Sequence, residues 1–78
     1  KLQIVGLNFG FTSVFHRKNK DKNSFWYYKR NKLISVDAIN DPTSYMVGKK
    51  FLEINKTPNH EDIVSMNKDL KQMLREIK

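Results

Sequence analysis

Cysteine is absent from the 78 residues, which excludes a disulfide framework and any thiolate zinc site. Two isolated histidines, His16 and His60, do not supply a metal cage in its place, so no metal and no cofactor is expected. The lack of cysteine also fits a reducing, intracellular setting, cytoplasmic or near the nucleoid or nucleus. Long hydrophobic runs are missing too. Residues 2–16 carry no charge, but Gln3, Asn8, Thr12 and Ser13 interrupt them. The stretch is shorter than a bilayer span and no small-residue cleavage pattern follows, so it is expected to be strand, with no integral membrane segment. A chain of this length has too few side chains for a second core, so residues 1–78 are expected to form a single small domain. Its first residue is Lys1 and not methionine, which suits an excised or processed part of a larger protein.

Catalytic patterns are scarce as well. His60-Glu61-Asp62 lacks the second histidine of a zinc-protease helix and is explained more simply as a helix start. Asp37, Glu53 and Lys56 have the residue types of a metal-dependent nuclease, yet Glu53 and Lys56 fall on opposite sides of a strand. Gly48-Lys49-Lys50 lacks the upstream glycine and the following hydroxyl residue of a phosphate-binding loop. The expectation is a noncatalytic chain.

What the sequence does have is positive charge in one place. The formal net charge is +7, and seven cations (Arg17, Lys18, Lys20, Lys22, Lys29, Arg30 and Lys32) lie between His16 and Lys32 against one acid, Asp21. The remaining segments nearly cancel. A localised field of this kind attracts a polyanion.

Periodicity gives the fold class. Phe9, Phe11 and Phe15 alternate with smaller or polar residues, as in a half-buried strand. Residues 17–24, RKNKDKNS, are polar and turn-prone and predict a long, mobile hairpin tip. Phe25 to Lys29 is the return strand, Ile34, Val36 and Ala38 mark a third, and Leu2 to Leu7 can add one at the beginning. Asp41-Pro42 in NDPTS suits a turn, after which Tyr45 to Val47 and Phe51 to Ile54 alternate as one interrupted strand or two short ones. Ile63, Met66, Leu70, Met73, Leu74 and Ile77 then recur at spacings of three and four, predicting an amphipathic helix over about 58–77, with Arg75 and Lys78 at its C-terminal end. The expected fold is α+β: an antiparallel sheet of three to five strands over about 2–54, flat or curled into an SH3-like barrel, packed by one C-terminal helix.

Within FWYYKR the strand period separates Phe25, Tyr27 and Lys29 from Trp26, Tyr28 and Arg30. The second trio is taken as the exposed one, with rings to stack on bases, while Arg17, Lys18, Lys20, Lys22, Lys29 and Lys32 neutralise phosphates. The order of strand, basic turn, aromatic strand and terminal helix resembles the layout of small DNA-binding sheets, among them the arm-binding domains of phage-type integrases and archaeal chromatin proteins with an SH3-like barrel. The function expected is nucleic-acid binding, DNA before RNA. The alternative is a protein-interaction or assembly module of a larger or virus-encoded protein, using the aromatic face or the helix stripe, the latter also offering a homodimer contact.

Overall fold

The computed structural model describes residues 1–65 and 67–77. Four strands, β1 (Leu2–Gly6), β2 (Ser13–Asn19), β3 (Lys22–Lys29) and β4 (Lys32–Ile39), precede three helices, α1 (Pro42–Glu53), α2 (His60–Val64) and α3 (Leu70–Glu76). The α+β class and the antiparallel sheet are as expected. The sheet is open, in the order β1-β4-β3-β2, and not a barrel.

The hairpins differ from expectation because residues 17–24 are mostly strand. Asn19 pairs with Lys22, so the tip is a two-residue turn, Lys20-Asp21, with Lys20 at φ 59°. The next hairpin turns at Arg30 and Asn31, both at positive φ (51° and 68°) between the paired Lys29 and Lys32. That geometry matches the right-handed twist of the strands. An irregularity at Tyr27/Tyr28 pairs them with Ser35 and Leu33 and leaves Ile34 without a partner on β3.

Residues 42–53 are helix, where strands were expected. The Asp41 carboxylate accepts hydrogen bonds from the Ser44 backbone N–H (3.1 Å) and the Ser44 hydroxyl (2.6 Å). Pro42 opens the helix without needing a donor of its own. Ser44, Val47, Gly48 and Phe51 are buried, the three-four spacing of a helix face. Tyr45 and Val47 also alternate, and that short alternation is what imitates a strand.

The C-terminal segment also departs from a single helix. It breaks after Val64, with Asn59 and Asp69 side chains capping α2 and α3 in turn. Ile63, Leu70 and Met73 are buried in the chain's own core, so these positions of the stripe pack inward. Met66 and Lys78, counted in the helix expectation, lie outside the described residues. Among the described residues no helix is long and apolar enough to cross a membrane.

The core lies between the sheet and the helices, around Trp26, Phe51, Ile63, Leu33 and Val36. Two glycines allow the close approach that builds it. Gly6, at φ 80°, sits where a Cβ would overlap the Ile34 carbonyl, and Gly48 brings α1 so near β4 that a Cβ would lie 2.7 Å from Val36 Cγ2. A single cation then ties down the segment between α2 and α3. Arg17 Nη1 donates to the carbonyls of Asp62 (3.1 Å), Ile63 (3.0 Å) and Ser65 (3.0 Å), and Nη2 to that of Lys68 (2.8 Å). These include carbonyls left without helical partners at the end of α2. Partial burial lowers the Arg17 pKa from the ordinary arginine value, while Asp41 and Asp69 favour its charge.

In an exposed helix Gly→Ala gains about 1 kcal/mol, whereas Gly48→Ala meets the Val36 methyl and is expected to lower the urea-unfolding free energy by about 1–2 kcal/mol. Combined with Val36→Ala it should cost clearly less than the two changes summed, because the added methyl enters the space vacated; additive costs would contradict the contact. Arg17→Met is expected to cost about 2–3 kcal/mol, since four carbonyls lose a charged donor. Arg17→Lys should recover only part of that cost, because one ammonium cannot span the four carbonyls. Hydrogen exchange should quicken in residues 60–76 before it does in the sheet, and equal acceleration everywhere would contradict the clamp.

Candidate functional site

The positions expected to bind a polyanion do not come together. Trp26 is fully buried and its indole N–H donates to Ser24 Oγ at 2.9 Å. Tyr28 is 3% exposed and its hydroxyl donates to the Pro58 carbonyl at 2.6 Å. Its phenol pKa is raised, first by burial and then by the nearby Asp62 charge. The face taken as exposed is therefore the core face, because α1 and α2 cover it and the largest ring is placed there. Arg30 occupies a turn and belongs to neither face. Arg17 is committed to the α2–α3 clamp. Lys18, Lys20, Lys22, Lys29, Arg30 and Lys32 are exposed, but Lys20 and Lys22 lie at one end of β3 and Lys29, Arg30 and Lys32 at the other. Eight strand residues hold these groups roughly 20–25 Å apart. A cluster in sequence is two clusters in space.

The opposite sheet face carries the other aromatics. Strand register puts Leu2 and Ile4 of β1, Asp37 and Ile39 of β4, Phe25 and Tyr27 of β3, and Val14 and His16 of β2 on it together. Phe11, in the loop before β2, meets Tyr27 edge-on at a centroid distance of 5.1 Å, and His16 stacks on Phe25 at 4.5 Å. The Tyr27 hydroxyl donates to Asp37 at 3.1 Å. Desolvation raises the Tyr27 pKa, and the Asp37 hydrogen bond and charge push it further the same way.

On the helical side, α1 and α3 enclose a groove of about 630 Å³. Tyr45, Met46 and Leu74 supply its apolar surface, and Lys49, Lys50, Lys71 and Arg75 surround it against a single acid, Glu53. Met46 is 63% exposed at this site. Among the described residues the four cations form no salt bridge. Five acids elsewhere are engaged: Asp41 and Asp69 cap helices, Asp62 and Glu76 pair with Lys68 at 3.4 and 2.8 Å, and Asp37 accepts from Tyr27. Segment sums concealed this groove, because they cancelled its cations against acids used on other faces. The helical spacing of Met46, Lys49, Lys50 and Glu53 was the signal that could have revealed it.

Such a surface suits an acidic protein partner, met by long-range attraction and held by modest apolar contact. It presents no arrangement of nucleophile and base. Among the described residues no group of three or more His, Asp or Glu side chains is placed to hold a metal.

The family model described as "Reductase C-terminal" matches residues 1–74. The ferredoxin reductase for the CYP199A2 system of Rhodopseudomonas palustris is similar with a TM-score of 0.85 and 34% identity, over 91% of this chain and 18% of that one. A chain of the covalent putidaredoxin reductase–putidaredoxin complex superposes with a TM-score of 0.87 at 20% identity, over 95% of this chain and 18% of its own. The chain thus spans about a fifth of the length of these solved relatives. These likenesses overturn the expectation of a nucleic-acid-binding domain and of DNA or RNA as its partner, along with the assignment to a non-enzyme, since ferredoxin reductases are enzymes. The chain belongs to the family of reductase C-terminal domains.

Proposed function

We propose that the chain is the C-terminal domain of a reductase acting on a ferredoxin-like redox protein, and that its contribution is recognition of that protein. The groove between α1 and α3 carries this reading: four cations surround an apolar floor with one acid among them. Charges arranged in this way raise the rate of productive encounter with an acidic protein, while the small apolar floor keeps the complex short-lived. A carrier that must arrive, accept electrons and leave is served by that balance. The 34% identity to a ferredoxin reductase supports the same class of partner. With no cysteine in these residues, the domain has no thiol couple of its own.

The test is made on the intact reductase with its own redox partner. Lys49→Glu combined with Lys71→Glu is expected to raise the KM for the partner about ten-fold at low ionic strength and to flatten its dependence on salt. Reduction of a small artificial acceptor, which needs no docking surface, should keep its rate. An unchanged KM for the partner would overturn the groove as its docking site, and equal loss with both acceptors would assign the lysines to structure.

A further inference from the structure

The sheet has one face under the helices and one face open, and the open one is the wrong composition for water. Leu2 is 59% exposed, Ile4 57%, and Val14 and Phe11 45% each, around the partly exposed rings of Phe25 and Tyr27. A solvated face of an antiparallel sheet is ordinarily polar. Here the apolar positions continue from β1 across β4 and β3 to β2, which is the extent of a patch that marks an interface.

We propose that this open face is a permanent seam on which the rest of the same reductase polypeptide packs, a proposal that rests on the chain being a reductase C-terminal domain. Three observations select that occupant. The solved relatives are more than five times as long as the segment they share with this chain, so most of the polypeptide in this family lies outside the domain. The middle of the face is nearly free of charge: Asp37 is the single acid there, and it is engaged by Tyr27 at 3.1 Å. A charge-depleted centre belongs to lasting interfaces, whereas an acidic carrier is served by the cation-rimmed groove on the helical side. The rings are also held before anything docks, Phe11 edge-on to Tyr27 and His16 stacked on Phe25. Side chains ordered in advance reduce the entropy lost on packing. The domain therefore has two surfaces of opposite chemistry, an apolar seam on the sheet and a charged docking groove on the helices.

Hydroxyl-radical footprinting of the intact reductase, without its redox partner, tests the seam. Phe11, Phe25 and Tyr27 are expected to react about ten-fold more slowly than their exposure in the isolated fold implies, while Met46 in the groove stays reactive. Ile4→Glu, a change outside the domain core, should restore reactivity at Tyr27 and leave Trp26 protected; Ile4→Leu should not. Full reactivity of Phe25 and Tyr27 in the intact protein would overturn the proposal, as would protection that disappears on about a hundred-fold dilution, which would assign the face to a second copy. Continued protection of Tyr27 in Ile4→Glu would overturn it too. The footprint needs no electron transfer. An exposed sheet face with salt-sensitive partner reduction would defeat the seam alone, and a protected face with partner reduction indifferent to the groove lysines would defeat the docking reading alone.

Discussion

The contact on which the rest of this small fold depends is the approach of α1 to β4 at Gly48 and Val36. A helix with a side chain at that position would stand further from the sheet, since even a methyl would come within 2.7 Å of Val36. With α1 seated, Val47 and Phe51 reach the same core as Trp26 and Val36, and one face of the sheet becomes dry. Everything polar beneath the helix must then find a partner. Trp26 uses Ser24, Tyr28 uses the Pro58 carbonyl, and Ser44 uses Asp41. Among the described residues no buried side-chain nitrogen or oxygen is left unpaired.

The same economy determines the electrostatics. Asp41 and Asp69 sit at helix starts, where unpaired backbone N–H groups favour a carboxylate. Asp62 and Glu76 share Lys68, which raises the lysine pKa and lowers that of Glu76. Arg17 serves carbonyls in place of a ligand. Once these groups are committed, the cations on α1 and α3 are left against one glutamate. A positive field arises there without any local run of basic residues, because structural roles hold several acids on other faces.

How far the fold could be read beforehand depended on whether a local pattern had one interpretation. The strand β4 is legible from the alternation of Ile34, Val36 and Ala38, and the C-terminal stripe of Ile63, Leu70 and Met73 reads as helical and apolar. Asp41-Pro42 was ambiguous, since the same pair that starts a turn also caps and opens a helix. The period of Ser44, Val47, Gly48 and Phe51 resolves it only when small residues are counted as buried. Break points were less legible still. Ser65 and residues 67–69 lie outside the helices, at a place stabilised by Arg17, which is more than forty residues away in sequence, and no local propensity contains such a contact. The cation-rimmed groove has the same character, joining α1 to α3.

The sequence by itself determined an antiparallel sheet with a helical C-terminal end, a basic balance, and the absence of thiol chemistry within these residues. Backbone periodicity and composition are local quantities, and they survive any arrangement of the elements. Tertiary structure alone decided which face of FWYYKR is core. Both faces of that strand carry aromatics, so period two is symmetric between them until α1 covers one. It also decided where charge gathers, because Coulomb attraction follows distance in space, and the sheet separates lysines that are neighbours in the chain while the helices bring together lysines that are not.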